Sequence, residues 1–157
     1  MPNWIEMHDG HVINTTINKF GYILFRETKD KDVGDYRFKI RYYLNEEAKN
    51  FKDIKHPVIK SCIEYYNLKK KKLHITYDGD LPSRSGLGSS SSFTTGFIKT
   101  INDYQKNKLS KKQIAKEVIK FEHKILNEDV GYQDQISATY GGLNYIKFTK
   151  KKFFVKS

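Results

Sequence analysis

Residues 81–96 constrain the fold of this chain more than any other stretch. They read Leu-Pro-Ser-Arg-Ser-Gly-Leu-Gly-Ser-Ser-Ser-Ser-Phe-Thr-Thr-Gly and lie between a strand-like run and a helix-like run. Gly86 and Gly88 lack side chains, so the backbone can approach a ligand closely. The serines crowd the start of the helix, where the first amides have no partner inside the helix and attract anions. One serine hydroxyl could also bind a magnesium ion held by phosphate. The stretch therefore predicts a phosphate-binding loop.

The rest of the chain alternates between strand and helix patterns. Alternating apolar and polar residues predict strands over 11–18, 20–28, 35–43, 73–77, 143–148 and 153–156. Helical spacing or capping signals predict helices over 45–54, from Pro57, over 93–104, from Ser110 and over 133–140. We expect the α+β class: a two-layer α/β sandwich with a four- or five-stranded, mixed and mostly antiparallel sheet and helices on one face. The last two strands should form a hairpin, and Gly96 should allow close packing of its helix against the sheet.

Length and composition limit the class of protein. A chain of 157 residues with 38% hydrophobic and 30% charged residues fits one soluble globular domain. No apolar run approaches the length of a membrane span, and the N-terminus does not resemble a signal peptide. A single cysteine, Cys62, excludes an internal disulfide, and this suits the reducing cytoplasm, where we expect the protein to act. The net charge of +11 favours anionic partners such as nucleotides, sugar phosphates or nucleic acid; a generally lysine-rich surface explains it equally well.

Two carboxylates could contribute chemistry. Glu122 shares the apolar face of its helix with Ile114 and Val118, where a carboxylate is costly unless it meets a cation, a metal or several donors. The alternative is a glutamate at the helix edge that reaches solvent or a lysine. Asp134 follows this helix and could accept a proton from a substrate hydroxyl or hold a cation. An aspartate at such a turn is more often a helix cap, and Asp129 is interpreted as structural.

Other common sites are absent from the sequence. No two of the five histidines have metal-ligand spacing on a helix, and one cysteine cannot complete a zinc site. There is no Gly-x-Ser-x-Gly elbow of a serine hydrolase. The loop at 81–96 also lacks the Gly-Lys-Ser/Thr ending of a P-loop, which excludes a Walker-type NTPase.

The loop, the glutamate and the aspartate together resemble a known family. Residues 82–91, Pro-Ser-Arg-Ser-Gly-Leu-Gly-Ser-Ser-Ser, resemble the second motif of the GHMP small-molecule kinases, Pro-x-x-x-Gly-Leu-Gly-Ser-Ser. This family includes galactokinase and the homoserine, mevalonate and phosphomevalonate kinases. Residues 2–4, 9–12, 130–135 and 140–144 look most like its sugar branch, the D-glycero-D-manno-heptose 7-phosphate kinases and fucokinase-like enzymes.

The resemblance implies ATP and Mg²⁺ as cofactors and assigns roles to individual residues. Ser90 would be the serine ligand of the magnesium ion, and Glu122 would be its second ligand. Asp134 would orient or deprotonate the acceptor hydroxyl. The loop that wraps the ATP phosphates would consist of Ser85, Gly86, Leu87, Gly88, Ser89, Ser90 and Ser91. The resemblance also implies the general fold of a ribosomal protein domain.

The chain also departs from the family pattern. Residues 1–157 correspond to the N-terminal, ATP-binding domain without the family's first strand and without its C-terminal domain. Tyr132 stands where the heptose kinases often have lysine, so the exact sugar stays open. We expect one part of a split or truncated sugar or sugar-phosphate kinase, paired with a separate C-terminal domain or with a second copy. The alternatives are an inactive fragment and a non-catalytic module that binds nucleotide or RNA; RNA binding ranks lower because it does not account for Ser90, Glu122 and Asp134.

Overall fold

Seven strands form two sheets in the computed structural model, which describes residues 8–29, 36–82, 85–127, 130–149 and 152–157. The strands are β1 (Gly10–Thr15), β2 (Gly21–Glu27), β3 (Phe38–Arg41), β4 (Asn45–Ala48), β5 (Leu73–Gly79), β6 (Leu143–Thr149) and β7 (Lys152–Lys156). The helices are α1 (Pro57–Tyr65), α2 (Ser89–Tyr104), α3 (Lys111–Lys124) and α4 (Gln133–Tyr140), and a short 3-10 helix spans Phe51–Asp53. None of the described helices is both long and apolar enough to cross a membrane.

The two sheets differ in strand order and direction. The four-stranded sheet has the order β2-β5-β3-β4, in which β5 runs antiparallel to β2 and parallel to β3. The three-stranded sheet has the order β1-β6-β7 and is antiparallel throughout. The hairpin of β6 and β7 is therefore confirmed, as is the mixed, mostly antiparallel α/β architecture.

Two details of the expected secondary structure were wrong. The strands number seven in two sheets among the described residues, rather than four or five in one. Residues 45–54 form β4 and the 3-10 helix instead of one helix, because Glu46 and Ala48 turn inward at strand spacing.

Two core clusters lie under the two sheets, and α3 contributes to both. Ile114, Val118 and Phe121 pack into the cluster beneath the four-stranded sheet. Ala115, fully buried on the same helix, belongs to the cluster beneath the three-stranded sheet. α2 approaches the four-stranded sheet closely at Gly96, where an added Cβ would lie 3.1 Å from Cδ1 of Ile23. This contact agrees with the role expected for Gly96.

The predicted helix starts are present. The Ser110 hydroxyl accepts a hydrogen bond from the Gln113 amide, and the Gln113 side chain accepts one from the Ser110 amide, which completes the capping box of α3. Cys62 is a buried free thiol on the apolar face of α1. Residues 2–4, residues 83 and 84 of the glycine-serine motif, and Asp129 lie outside the described residues.

Candidate active site

The loop before α2 has the backbone expected of an anion-binding turn. Gly86 and Gly88 adopt left-handed conformations with φ of 75° and 71°, a region that side chains disfavour. Gly88 is the N-cap of α2, and no side chain caps the helix there, so its first amides stay available for a ligand. The hydroxyl of Ser85 is buried without a hydrogen-bond partner among the described residues. These groups fit a bound phosphate.

The serines at the start of α2 point to different sides. Ser91 is buried, and its hydroxyl donates a hydrogen bond of 3.4 Å to Oε2 of Glu122. Ser90 is exposed, and its carbonyl accepts a hydrogen bond of 3.2 Å from the Thr94 hydroxyl. The structure thus brings Ser91 to Glu122, whereas Ser90 lines a neighbouring cavity. The role of Ser90 as a metal ligand stays a prediction.

Glu122 is buried on α3, with 1% of its surface exposed. Its Oε2 atom accepts hydrogen bonds from the Ser91 hydroxyl and from the side-chain amide of Gln135. The carboxylate therefore does not reach solvent from the helix edge. Within the described ranges, no group of three or more His, Cys, Asp or Glu side chains could hold a metal ion. A hard cation at Glu122 would need further oxygen ligands, which nucleotide phosphates and serine hydroxyls can supply.

Asp134 lies directly beside the glycine loop. It is exposed in the first turn of α4. A Cβ atom added to Gly88 would be 3.4 Å from Oδ2 of Asp134. The structure therefore brings the glycine loop and Asp134 together, with the buried carboxylate of Glu122 behind the start of α2.

One cavity, with a volume of about 310 Å³, opens between the glycine loop and the segment after β1. Asp134 lines it together with Ser137 and Asn14, and the Asn14 side-chain amide donates a hydrogen bond to the Ser137 hydroxyl. Lys19 is the one cationic side chain among its described lining residues. We call this space the Asp134 cavity.

A second cavity, of about 550 Å³, lies on the Ser90 side of the loop. Its walls are largely aromatic: Tyr42, Tyr43, His56, Tyr77 and Phe93. The rings form close pairs, with centroids 4.9 Å apart for Tyr42 and His56 and 4.8 Å apart for Tyr77 and Phe93. We call this space the aromatic cavity.

Buried Glu46 holds two residues of the aromatic cavity, Tyr42 and His56, through hydrogen bonds. It accepts hydrogen bonds from the Tyr42 hydroxyl at 2.5 Å and from the amides of Lys55 and His56 at 2.7 and 3.1 Å. Burial and this hydrogen bond raise the pKa of Tyr42. Burial lowers the pKa of His56, although the Glu46 charge opposes this change. Tyr42 and His56 thus both present neutral rings to the cavity at neutral pH.

Sequence reasoning did not identify either cavity or the contacts of Ser91 and Gln135. The aromatic residues come from four separated parts of the chain, so no local motif joins them. The only local signals were the tyrosine pair at the end of β3 and the histidine before Pro57. The pairing of Gln135 with Glu122 depends on how α4 packs against α3.

Part of the chain matches a known protein family. The family described as GHMP kinases N terminal domain matches residues 54–142, which is more than half of the 157 residues. The chain belongs to the GHMP kinase family. The match includes the loop, Glu122 and Asp134, and it confirms the family predicted from the sequence.

Several relatives of this GHMP kinase domain are sugar kinases. D-glycero-alpha-D-manno-heptose 7-phosphate kinase of Campylobacter jejuni is 28% identical over 159 residues, which cover 95% of this chain and 46% of the relative. The crystal structure of a D-glycero-D-manno-heptose 1-phosphate kinase from Bacteroides thetaiotaomicron has a TM-score of 0.84 at 26% identity, covering 98% of this chain and 52% of the other. The chain thus spans about half the length of these relatives.

More distant relatives share the fold or parts of the sequence. Homoserine kinase of Buchnera aphidicola is 30% identical over 123 residues, covering 76% of this chain and 39% of the relative. Galactokinase of Lactococcus lactis has a TM-score of 0.68 at 16% identity, which shows a common fold. The expected fold class is therefore confirmed.

Proposed function

We propose that this chain is the nucleotide-binding part of a sugar kinase, which transfers a phosphoryl group from ATP to a hydroxyl of a sugar or sugar phosphate of the heptose phosphate type. The observation that carries the proposal is the convergence on one helix start: uncapped amides and left-handed glycines, buried Glu122 behind them, and Asp134 beside Gly88. The names of the sugar kinase relatives support the reaction type.

The two cavities support separate binding sites for the nucleotide and the sugar on the two sides of the loop. The aromatic cavity offers ring faces for a nucleobase, and stacking on rings suits flat, apolar ligands. From there the phosphates would reach the loop, where the amides of Ser89, Ser90 and Ser91 and the Ser85 hydroxyl would bind them. Mg²⁺, when bound with ATP, would neutralise negative charge on the phosphates. Glu122 and Ser90 would hold the ion.

The Asp134 cavity would hold the sugar. Asp134 reaches this cavity from α4 and is exposed, so it can orient an acceptor hydroxyl and accept its proton. Lys19 supplies a positive charge at the same cavity, which suits a phosphorylated or otherwise anionic sugar. Most of the catalysis would come from positioning and charge neutralisation, as is general for phosphoryl transfer.

The C-terminal domain of the family is the proposed partner of this domain. The chain covers about half of its relatives, and the outer face of the three-stranded sheet exposes large apolar side chains. Ile13 is 75% exposed and lies opposite Tyr145, while Leu143 is 66% exposed. Exposed apolar patches of this kind commonly mark interaction surfaces. Analytical ultracentrifugation with and without such a domain would test this, and a stable homodimer of the chain alone would point to a second copy instead.

The proposed reaction is tested by ATP-dependent phosphorylation of heptose 7-phosphate and fucose, with and without a supplied C-terminal domain. The Asp134→Ala variant should lose about 10²–10⁴-fold in turnover, the usual contribution of a general base. Asp103→Ala is the matched control, because Asp103 is an exposed carboxylate at the far end of α2 that pairs only with Lys99 in the described structure. If Asp134→Ala and Ser90→Ala both keep the wild-type turnover, the assigned site is wrong.

The second candidate function is RNA binding on the outer face of the four-stranded sheet. Arg26, His74 and Lys39 lie directly opposite one another on three adjacent strands. Basic side chains in such positions repel one another. Burial lowers the pKa of His74, as do the charges of Arg26, Lys39 and Lys72. Fluorescence anisotropy with single-stranded RNA should then show binding that weakens steeply as salt rises and that Arg26→Ala reduces. Absence of binding at low salt would leave the kinase proposal alone.

A further inference from the structure

Gln135 is a buried polar residue of α4. Only 1% of its surface is exposed, and its Oε1 atom has no hydrogen-bond partner among the described residues. A buried polar group without a partner costs about 1–3 kcal/mol. An apolar side chain of similar size would avoid this cost but would remove a hydrogen-bond donor from Glu122.

The amide nitrogen of Gln135 has a specific partner. It donates a hydrogen bond to Oε2 of Glu122, the same oxygen that accepts a hydrogen bond from the Ser91 hydroxyl. The nitrogen rather than the oxygen of the amide faces the carboxylate, whose oxygen accepts the hydrogen bond. Two donors from two different helices, α2 and α4, therefore fix one oxygen of Glu122.

The position of Gln135 next to Asp134 adds a second consequence. The two residues are consecutive on α4, with Gln135 facing inward to Glu122 and Asp134 exposed beside Gly88. Ser91, Asp134 and Gln135 also line one cavity of about 600 Å³. The hydrogen bond from Gln135 to Glu122 thus ties the helix that carries Asp134 to the helix that carries the buried carboxylate.

We infer that Gln135 is a positioning residue: with the Ser91 hydroxyl, it orients the Glu122 carboxylate for a divalent cation and holds Asp134 at the same site. This inference rests on the proposed kinase function. Hydrogen-bonding partners of metal ligands usually change metal affinity by about 10–100-fold when they are removed. Gln135 does not touch the reacting atoms, and it acts through Glu122 and through the placement of α4.

The test is the affinity of the full chain for Mn²⁺ in the presence of ATP, measured by electron paramagnetic resonance. Gln135→Met keeps the length of the side chain but removes the donor, and it should weaken Mn²⁺ binding by about tenfold or more. Ser91→Ala should weaken binding in the same direction, and Ser91→Thr, which keeps the hydroxyl, should restore it. Gln105→Met is the matched control, since the Gln105 amide also donates one hydrogen bond but lies at the C-cap of α2, at the opposite end from the loop.

The outcomes separate this inference from the proposed function. A weakened Mn²⁺ affinity for Gln135→Met, with circular dichroism and a urea midpoint close to those of Gln105→Met, supports the positioning role. Wild-type affinity in Gln135→Met would overturn it, while metal binding by the wild-type chain would still support the proposed function. A lower urea midpoint with unchanged Mn²⁺ affinity would show that Gln135 is structural only. If the wild-type chain binds no Mn²⁺ with ATP, both proposals are wrong.

Discussion

Gly88 combines a left-handed backbone conformation with close proximity to the Asp134 carboxylate. Its φ of 71° disfavours any side chain, and an added methyl group would touch the Asp134 carboxylate at 3.4 Å. Gly86 has a similar φ of 75° but open space around it. Comparing the two positions therefore separates the cost of conformation from the cost of crowding the site.

We predict that Gly86→Ala and Gly88→Ala each lower the free energy of unfolding by about 1–2 kcal/mol, the cost of a left-handed alanine. Urea unfolding checks this value. Gly88→Ala should also reduce turnover at saturating ATP, because its methyl group occupies the gap in front of Asp134. Gly10→Ala, at a glycine without positive φ and with nothing within 4 Å, is the control. Equal stability of all three variants would contradict the prediction.

At the scale of single residues, a role can be predicted from the sequence where burying that residue type costs free energy. Glu122 stood out because a carboxylate on an apolar helix face needs partners, and the structure buries it as that argument requires. The contact of Ser91 with Glu122 was not predictable, because neighbouring serines at a helix start differ only in direction. Gln135 was missed because glutamine carries no charge and is costly only when buried.

At the scale of elements, α1 depends on an unusual cap. The His56 ring nitrogen Nδ1 accepts a hydrogen bond of 3.4 Å from the Ile59 amide, and Pro57 occupies the first helical position. Nδ1 can accept only while it carries no proton. Burial lowers the pKa of His56, against the opposing charge of Glu46. The helix start is therefore built for a neutral ring.

We predict that acid weakens the fold through His56. The folded chain binds this proton less readily than the unfolded chain, whose histidine has a pKa of about 6.5. The stability is therefore complete above about pH 6.5 and declines as the pH falls through that value towards the lower folded pKa. The melting temperature should drop between about pH 7.5 and pH 5.5.

The control for this prediction is His56→Asn, which keeps a good N-cap but does not titrate. Its melting temperature should fall less over the same range. Some loss should remain, because the pKa of His74 is also lowered by burial and by nearby positive charges. An identical pH dependence of wild type and His56→Asn would show that His56 does not contribute.

Element boundaries with local chemical signals could be predicted from the sequence. The capping box of α3 and the hairpin of β6 and β7 each depend on residues close in the chain. The order β2-β5-β3-β4 could not be predicted, because the pairing of β5 is decided by packing between distant segments. The sequence predicts a helix in place of β4 because its four residues, Asn-Glu-Glu-Ala, are uncommon in strands. The three hydrogen bonds that Glu46 accepts in its buried position have no signature in the sequence.

At the scale of the whole molecule, α3 joins the two sheets. Its residues Ile114, Val118 and Phe121 pack under the four-stranded sheet, and Ala115 packs under the three-stranded sheet. The site depends on this connection, because Glu122 on α3 meets Ser91 from α2 and Gln135 from α4. Loss of packing under either sheet should therefore disturb the whole domain rather than one half.

This coupling predicts cooperative unfolding. Ile75 in β5 is 1% exposed in the first core cluster, and Ile146 in β6 is 0% exposed in the second. Ile75→Ala and Ile146→Ala should each cost about 2–5 kcal/mol, the usual range for such truncations. Each variant should still unfold in a single transition with the same midpoint by far-ultraviolet and near-ultraviolet circular dichroism. If Ile146→Ala instead gives an early transition that leaves the rest folded, the three-stranded sheet unfolds on its own, and α3 does not couple the two cores.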